Sequence, residues 1–265
     1  MNVNGINLHV EDEGSGPAVV LLHGWPDSTH LWRHQVPFLV ENGFRVVTLD
    51  LRGFGQSDKP QDVSEYAIQH TVGDLCAVLD ELELAKAHVV GHDWGAFVAW
   101  MTAMLHPDRM DRLVVMSVPH PLSPRTLLQR EMAWYQLFFQ FEGVAEESLQ
   151  HDDWALLREF TRGDGDLDRY VVDLARPGAL TASLNWYRAI LAPRAPGSPP
   201  ELPPVQADTL AMWSTEDHYL DGERMKASAS FVQGEWRYEE LVGPSHWIPL
   251  DAPDRVNELL ADWLR

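Results

Sequence analysis

An α/β architecture, with a mostly parallel central sheet and helices on both faces, is what the order of apolar runs predicts for this chain. Three observations carry that prediction. Short apolar runs bounded by Gly, Asn or Asp alternate with longer amphipathic stretches, and one run ends in a tight turn at Gly91-His92-Asp93-Trp94-Gly95. The alternation also stops between about His120 and Pro204 and then resumes. With 265 residues and 45% hydrophobic content, the chain can fill one large α/β core that carries an insertion.

Taken in order, Ile6 to Val10 alternates apolar and polar residues as a half-exposed strand does, and Ala18 to Leu22 and Arg45 to Asp50 read as buried strands. A helical pattern from about Ile68 to Leu84 leads into the strand that begins at Ala87. The helix after Asp93 is expected to end near His106-Pro107, before an apolar strand from Leu113 to Val118. Beyond His120 strands give way to crowded aromatic and acidic residues. This segment closes with Pro193, Pro196, Pro199, Pro200, Pro203 and Pro204, which reads as a helical insertion with a proline-rich return linker. Strands then return at Thr209 to Trp213 and Trp236 to Leu241, and an amphipathic helix from about Asp254 to Leu264 ends the chain. The predicted domains are a core of residues 1–119 and 205–265 and a helical cap, or lid, of residues 120–204.

Composition excludes several function classes. A formal charge of -20 repels phosphate backbones and anionic lipid surfaces, so neither nucleic acid nor a membrane is an expected partner. The N-terminal residues lack a basic segment followed by an apolar one, and no run reaches spanning length, which predicts a cytoplasmic protein. Cys76 is the single cysteine, on a helical pattern where a core position is expected, and it gives no sign of disulfide, metal or redox chemistry. The sequence admits a homodimer without requiring one.

The turn around Asp93 points to chemistry. Small residues on both sides of Asp93 allow the strained backbone of a nucleophile elbow, which lifts one side chain above the sheet. An aspartate between a strand and a helix also serves as an N-cap, but the flanking glycines and the apolar strand favour the elbow. An ionised carboxylate at the apex attacks an sp3 carbon and forms an enzyme ester, whereas a serine there would suggest acyl transfer. The turn His23-Gly24-Trp25-Pro26 follows the first buried strand, and its Trp25 amide, with that of Trp94, forms the candidate oxyanion hole. His246, in Gly243-Pro244-Ser245-His246-Trp247, is the candidate base. Asp217 is the candidate acid that orients it, with Glu216 and Asp221 as neighbouring competitors. The loop Asp50 to Asp58 lacks both GxGxxG and a Walker lysine, so it reads as a turn rather than a phosphate cradle.

From HGWPDSTHLWRHQVPFL through DLRGFGQSDKP and GHDWGA to the histidine loop, the chain resembles α/β-hydrolases of the branch that includes epoxide hydrolases and haloalkane dehalogenases. The resemblance covers essentially the whole length and implies an α/β-hydrolase fold with the lid inserted after the sixth strand. Within the lid, the segments Trp134 to Glu146 and Asn185-Trp186-Tyr187-Arg188 resemble those that carry the ring-opening tyrosines of epoxide hydrolases. This implies that Tyr135 and Tyr187 lie over Asp93. Glu142 stands where a proline is more usual. Trp134, Phe138, Trp186 and Trp247 are the candidates for an apolar substrate pocket.

The implied reaction opens a small apolar epoxide by attack of Asp93, with the tyrosines meeting the developing alkoxide, and then hydrolyses the ester with water to give a vicinal diol. No metal or organic cofactor is expected, because water is the second substrate. The alternative is haloalkane dehalogenation on the same Asp and His, in which N–H donors such as Trp94 would hold the leaving halide. A serine esterase is disfavoured by Asp93 itself, and a fluoroacetate dehalogenase would usually carry arginine where Trp94 stands. A non-catalytic scaffold on the same fold would be expected to lack one of the nucleophile, base or oxyanion loop, and all three are present.

Overall fold

Parallel strands buried on both faces need near-continuous apolar side chains, and the runs at residues 18–22 and 113–116 supply them. The computed structural model describes residues 1–191 and 202–265. Asn2–Val3 (β1) and Ile6–Asn7 (β2) make a small antiparallel hairpin. Among the described residues the main sheet has seven strands: Val10–Gly14 (β3), Ala18–Leu22 (β4), Arg45–Leu49 (β5), Ala87–His92 (β6), Met110–Met116 (β7), Asp208–Ser214 (β8) and Trp236–Leu241 (β9). Their order is β3-β5-β4-β6-β7-β8-β9, and only the edge pair β3–β5 is antiparallel.

Gln35–Glu41 (α1), Ile68–Glu81 (α2) and Trp94–Leu105 (α3) connect successive strands. Between β7 and β8 lie Leu127–Met132 (α4), Trp134–Phe138 (α5), Val144–Thr161 (α6, broken at residues 151–154), Leu167–Leu174 (α7) and Ala179–Leu191 (α8). Gly222–Ala227 (α9) follows β8, and Ile248–Asp251 (α10) and Pro253–Trp263 (α11) follow β9. From β4 the chain crosses one way to β5 through α1, then back past β4 to β6 through α2. Right-handed crossovers in opposite directions place α1 and α2 on opposite faces of the sheet. The packing agrees, with α1 against α11 and α2 against α3. Among the described residues no helix is long and apolar enough to cross a membrane.

Three sequence expectations need correction. Ile6 to Val10 is not one strand, because Asn4 and Gly5 have φ of 50° and 80° and fold Ile6–Asn7 back onto Asn2–Val3, so the chain joins the main sheet only at Val10. The hairpin therefore adds no strand to the sheet, and the insertion follows the fifth strand of that sheet, not the sixth. Cys76 is half-buried on α2 rather than a full core residue. Pro193, Pro196, Pro199 and Pro200 of the predicted linker lie outside the described residues. The loop after β5 is a turn as read: the Asp50 carboxylate accepts the amides of Thr29 at 2.7 Å and Gln56 at 2.8 Å.

Strand register brings the functional loops to one edge. Leu22 pairs with Gly91, His92 with Met116, and Met116 with Met212, so β4, β6, β7 and β8 end side by side. The turns after β4 and β6 then come so close that only glycine fits. A Cβ on Gly95 would overlap the Leu22 carbonyl oxygen, one on Gly91 the Gly95 carbonyl oxygen, and one on Gly24 the Asp93 carboxylate.

Gly95→Ala should therefore lower stability by about 1–3 kcal/mol, the usual cost of overpacking, read as a lower urea midpoint at unchanged m-value. Gly73→Ala, inside α2 with only the Asn4 side chain at 3.6 Å, should raise stability by about 0.5–1 kcal/mol. Equal midpoints for the two variants would mean that the close approach carries no cost.

Candidate active site

Asp93 sits between β6 and α3 with φ 49° and ψ -118°. A non-glycine residue in that conformation stores strain of order 1–3 kcal/mol, which the packed glycines around it must hold. The strain turns the carboxylate toward the loop after β4, where the Trp25 amide donates to Oδ1 at 2.7 Å. The neighbouring Trp94 amide also acts to lower the pKa of this carboxylate. The Trp25–Pro26 peptide bond is cis.

His246 lies in the loop between β9 and α10. Its Nε2 is 3.8 Å from Asp93 Oδ2 and its Nδ1 is 2.9 Å from Asp217 Oδ2. The loop's position is fixed from below, where His92 Nε2 at 2.9 Å and the Ser117 hydroxyl at 3.2 Å both donate to the His246 carbonyl. Because a carbonyl only accepts, His92 carries its proton on Nε2. Burial, and then repulsion from His246, hold the His92 pKa well below its ordinary value, so it stays neutral.

Asp217 leaves the end of β8 with its side chain fully buried. Its Oδ1 accepts the amides of Tyr219 at 2.9 Å and Leu220 at 3.0 Å, which leaves Oδ2 for His246. The two competing carboxylates go elsewhere: Glu216 is exposed, and Asp221 caps α9 by accepting the Glu223 amide.

Burial raises the Asp93 pKa above the ordinary carboxylate value, and His246 and the two amides only partly reverse the rise. For His246, burial acts to lower the pKa, but the carboxylates of Asp217, Asp93 and Asp27 outweigh it and leave the pKa raised.

Tyr135 on α5 and Tyr187 on α8 are buried, with ring centroids 5.8 Å apart. Among the described residues neither hydroxyl donates a hydrogen bond to a protein acceptor within 3.5 Å. Burial and then the charge of Asp93 raise both phenol pKa values, so both keep their protons at neutral pH.

Two cavities meet at Asp93, Tyr135 and Tyr187. The outer one, of about 120 Å³, is bounded by Trp94, Phe97, Leu220 and Ile190 among others. The inner one, of about 10 Å³, is bounded by Trp25, Phe160, Tyr219, His246 and Trp247.

Of the four aromatic pocket candidates, only Trp247 lines either cavity. Trp134 is 53% exposed, because one residue along α5 turns it about 100° from the inward-facing Tyr135. Phe138 is half-buried against Phe139 and Trp134. Trp186, next to the inward-facing Tyr187, points into the core and donates its Nε1 to the Arg52 carbonyl at 3.0 Å. Phe97, Phe160 and Tyr219 line the cavities and were missed. Tyr219, two residues after Asp217, had a local signal, whereas Phe160 is brought in from α6 by tertiary packing alone.

Comparison with known proteins places the chain. A family model described as alpha/beta hydrolase fold matches residues 17–253. The chain is 34% identical to the AB hydrolase superfamily protein YfhM of Bacillus subtilis (strain 168), covering 100% of this chain and 96% of that one. It is 30% identical to Epoxide hydrolase 2 of Caenorhabditis elegans, covering 100% and 79%. A solved structure of Bacillus megaterium epoxide hydrolase in complex with an inhibitor superposes with a TM-score of 0.90 at 28% identity, covering 100% of this chain and 99% of that one. Matched along its full length in sequence and in fold, the chain belongs to the epoxide hydrolase family of the α/β-hydrolases and is an enzyme of the hydrolase class.

Proposed function

We propose that this enzyme converts small epoxides to vicinal diols through an ester on Asp93. The observation that carries this reading is the pair of buried, protonated phenols, Tyr135 and Tyr187, that share the Asp93 cavity. An alkoxide is a poor leaving group, so opening the ring needs donors that meet the oxygen as its charge develops.

In the first step Asp93 Oδ2 attacks a ring carbon, a carbon–oxygen bond forms as the ring bond breaks, and a tyrosine gives its proton to the departing oxygen. The Trp25 amide on Oδ1 favours Oδ2 as the attacking atom. In the second step His246 takes a proton from water, which adds to the ester carbonyl, and the Trp25 and Trp94 amides hold the oxyanion. Collapse of that intermediate frees the diol as His246 returns its proton to the departing alcohol oxygen, and the acid proton left on Asp93 passes to the tyrosinate, which restores both the carboxylate and the phenol. The inner cavity is about the size of one water, for which roughly 10–15 Å³ suffices, and it touches both His246 and Asp93. Asp217 orients the imidazole and stabilises its charged form. Residues 120–204 act as a cap domain that supplies the tyrosines to the core.

Dehalogenation is favoured by the buried Nε1 groups of Trp94 and Trp247, which have no partner among the described residues and belong to residues lining the outer and the inner cavity. A halide site wants two N–H groups on one ion, whereas Trp94 and Trp247 line different cavities and the Trp25 and Trp186 indoles already donate to Ser183 and to the Arg52 carbonyl. Two hydroxyls over the carboxylate suit an alkoxide better.

His246→Ala exposed to styrene oxide should accumulate a covalent adduct equal in mass to the whole epoxide, and Asp93→Asn should show none. An alkyl adduct from a haloalkane, with none from the epoxide, would reverse the choice of reaction. Replacing one tyrosine, Tyr135→Phe or Tyr187→Phe, should cut kcat by about 10²–10³-fold, as loss of one transition-state donor does, and the double variant should lose more. Undiminished turnover in the double variant would remove the donor role.

The base works only when neutral, so ester hydrolysis should slow as pH drops through the His246 midpoint, which Asp217 and Asp27 still raise once Asp93 has become a neutral ester. Asp217→Asn removes a raising charge, so the midpoint should move to lower pH, with kcat reduced on the order of 10³–10⁴-fold. A midpoint that stays in place would separate Asp217 from the base.

A further inference from the structure

The outer cavity has a charged rim that epoxide opening does not use. Arg125 and Arg224 both line it, and an adjoining depression of about 60 Å³ adds Arg130. In a chain with 40 acidic and 20 basic residues, an arginine readily finds a carboxylate, as Arg45 does with Asp12 and Arg52 with Asp74. Among the described residues neither Arg125 nor Arg224 has a carboxylate within ion-pair distance.

Arg224 is only 8% exposed and is held by neutral acceptors: Nε donates to the Pro124 carbonyl at 3.1 Å, Nη1 to Gln129 Oε1 at 3.3 Å and Nη2 to the Ser123 carbonyl at 3.1 Å. Three of the five guanidinium N–H groups are thereby used, and two remain. The nearest acid, Asp221, is occupied with the Thr126 hydroxyl and the Glu223 amide. Arg125 is exposed beside it. Burial and the charge of Arg125 bring the Arg224 pKa down to about 10, and Asp221, which makes no ion pair with it, only partly offsets them.

The cavity is small. At about 120 Å³ it falls below the roughly 300–1,000 Å³ of sites for drug-sized ligands. A substrate with its ring at Asp93 therefore reaches the rim within a few bonds.

We propose that the substrates are short epoxides bearing a carboxylate, which Arg224 and Arg125 bind at the cavity mouth while the ring lies against Asp93. This rests on the epoxide-opening reading and adds the charge at the far end of the substrate. Arginine suits the task because its planar fork matches the two oxygens of a carboxylate.

The test compares the terminal epoxide of hexenoate with its carboxamide, alike in size and different in charge. It is paired with calorimetric binding of hexanoate and hexanamide, which does not depend on turnover. Wild type should show a kcat/KM for the acid about tenfold or more above that for the amide, declining as salt is added, and should bind hexanoate more tightly than hexanamide. Arg125→Gln, an exposed position whose thermal midpoint checks the fold, should lower the acid-to-amide ratio about tenfold. Equal rates on acid and amide in wild type, or a ratio that Arg125→Gln leaves unchanged, would overturn the anion subsite while epoxide opening stands. Charge-selective binding of hexanoate with no turnover of either epoxide would uphold the subsite and overturn the reaction.

Discussion

The approach of two backbone turns, one after β4 and one after β6, is the constraint on which the rest of the site depends. Gly95 packs on the Leu22 carbonyl and Gly24 on the Asp93 carboxylate, at separations that exclude any side chain. This contact holds Asp93 at φ 49° and delivers the Trp25 amide to its Oδ1. The strain is local, and the apolar strands on either side sustain it. Asp93 is thus aimed by the sheet rather than by its own conformational preference, and the Trp25 amide reaches its carboxylate by the same geometry.

Electrostatics in the site follow from burying three charges together. Asp93 and Asp217 both face His246, and each is satisfied on its other oxygen by backbone amides. Fixed amide dipoles hold these carboxylates without a second full positive charge, and the imidazole stands between them. His92 lies beneath, kept neutral by burial, and holds the loop by its carbonyl rather than competing as a base. The tyrosines close the site from the inserted helices, and Asp93 itself helps keep them protonated.

The insertion combines two kinds of packing. Trp186 and Trp25 tie it to the core through hydrogen bonds from their indole nitrogens to the Arg52 carbonyl and the Ser183 hydroxyl, while Tyr135 and Tyr187 remain turned to the cavity. Neighbouring residues on one short helix therefore have opposite tasks, one anchoring and one facing the site. Counting aromatics in the insertion cannot separate them, since a hundred-degree step along the helix decides which is which.

The strands around Asp93 and their order were legible in the sequence because a buried parallel strand needs an unbroken apolar run and the elbow needs glycines, both local requirements. Trp236 to Leu241 appears as read, and the candidates Asp93, His246, Tyr135 and Tyr187 line two adjoining cavities, with Asp217 behind His246. Local pattern did not reveal that Ile6 and Asn7 turn away from the sheet, that Trp134 and Trp186 face away from the cavity, or that Phe160 enters it. Nor did it mark Arg224 as a buried cation among neutral partners. These depend on register, on rotation about helix axes and on long-range packing. The sequence alone determined which residue types stand at strand ends, since that follows from chain order. Which of them share a cavity was decided by tertiary structure, because side chains far apart along the chain meet only where the strands align and the inserted helices dock.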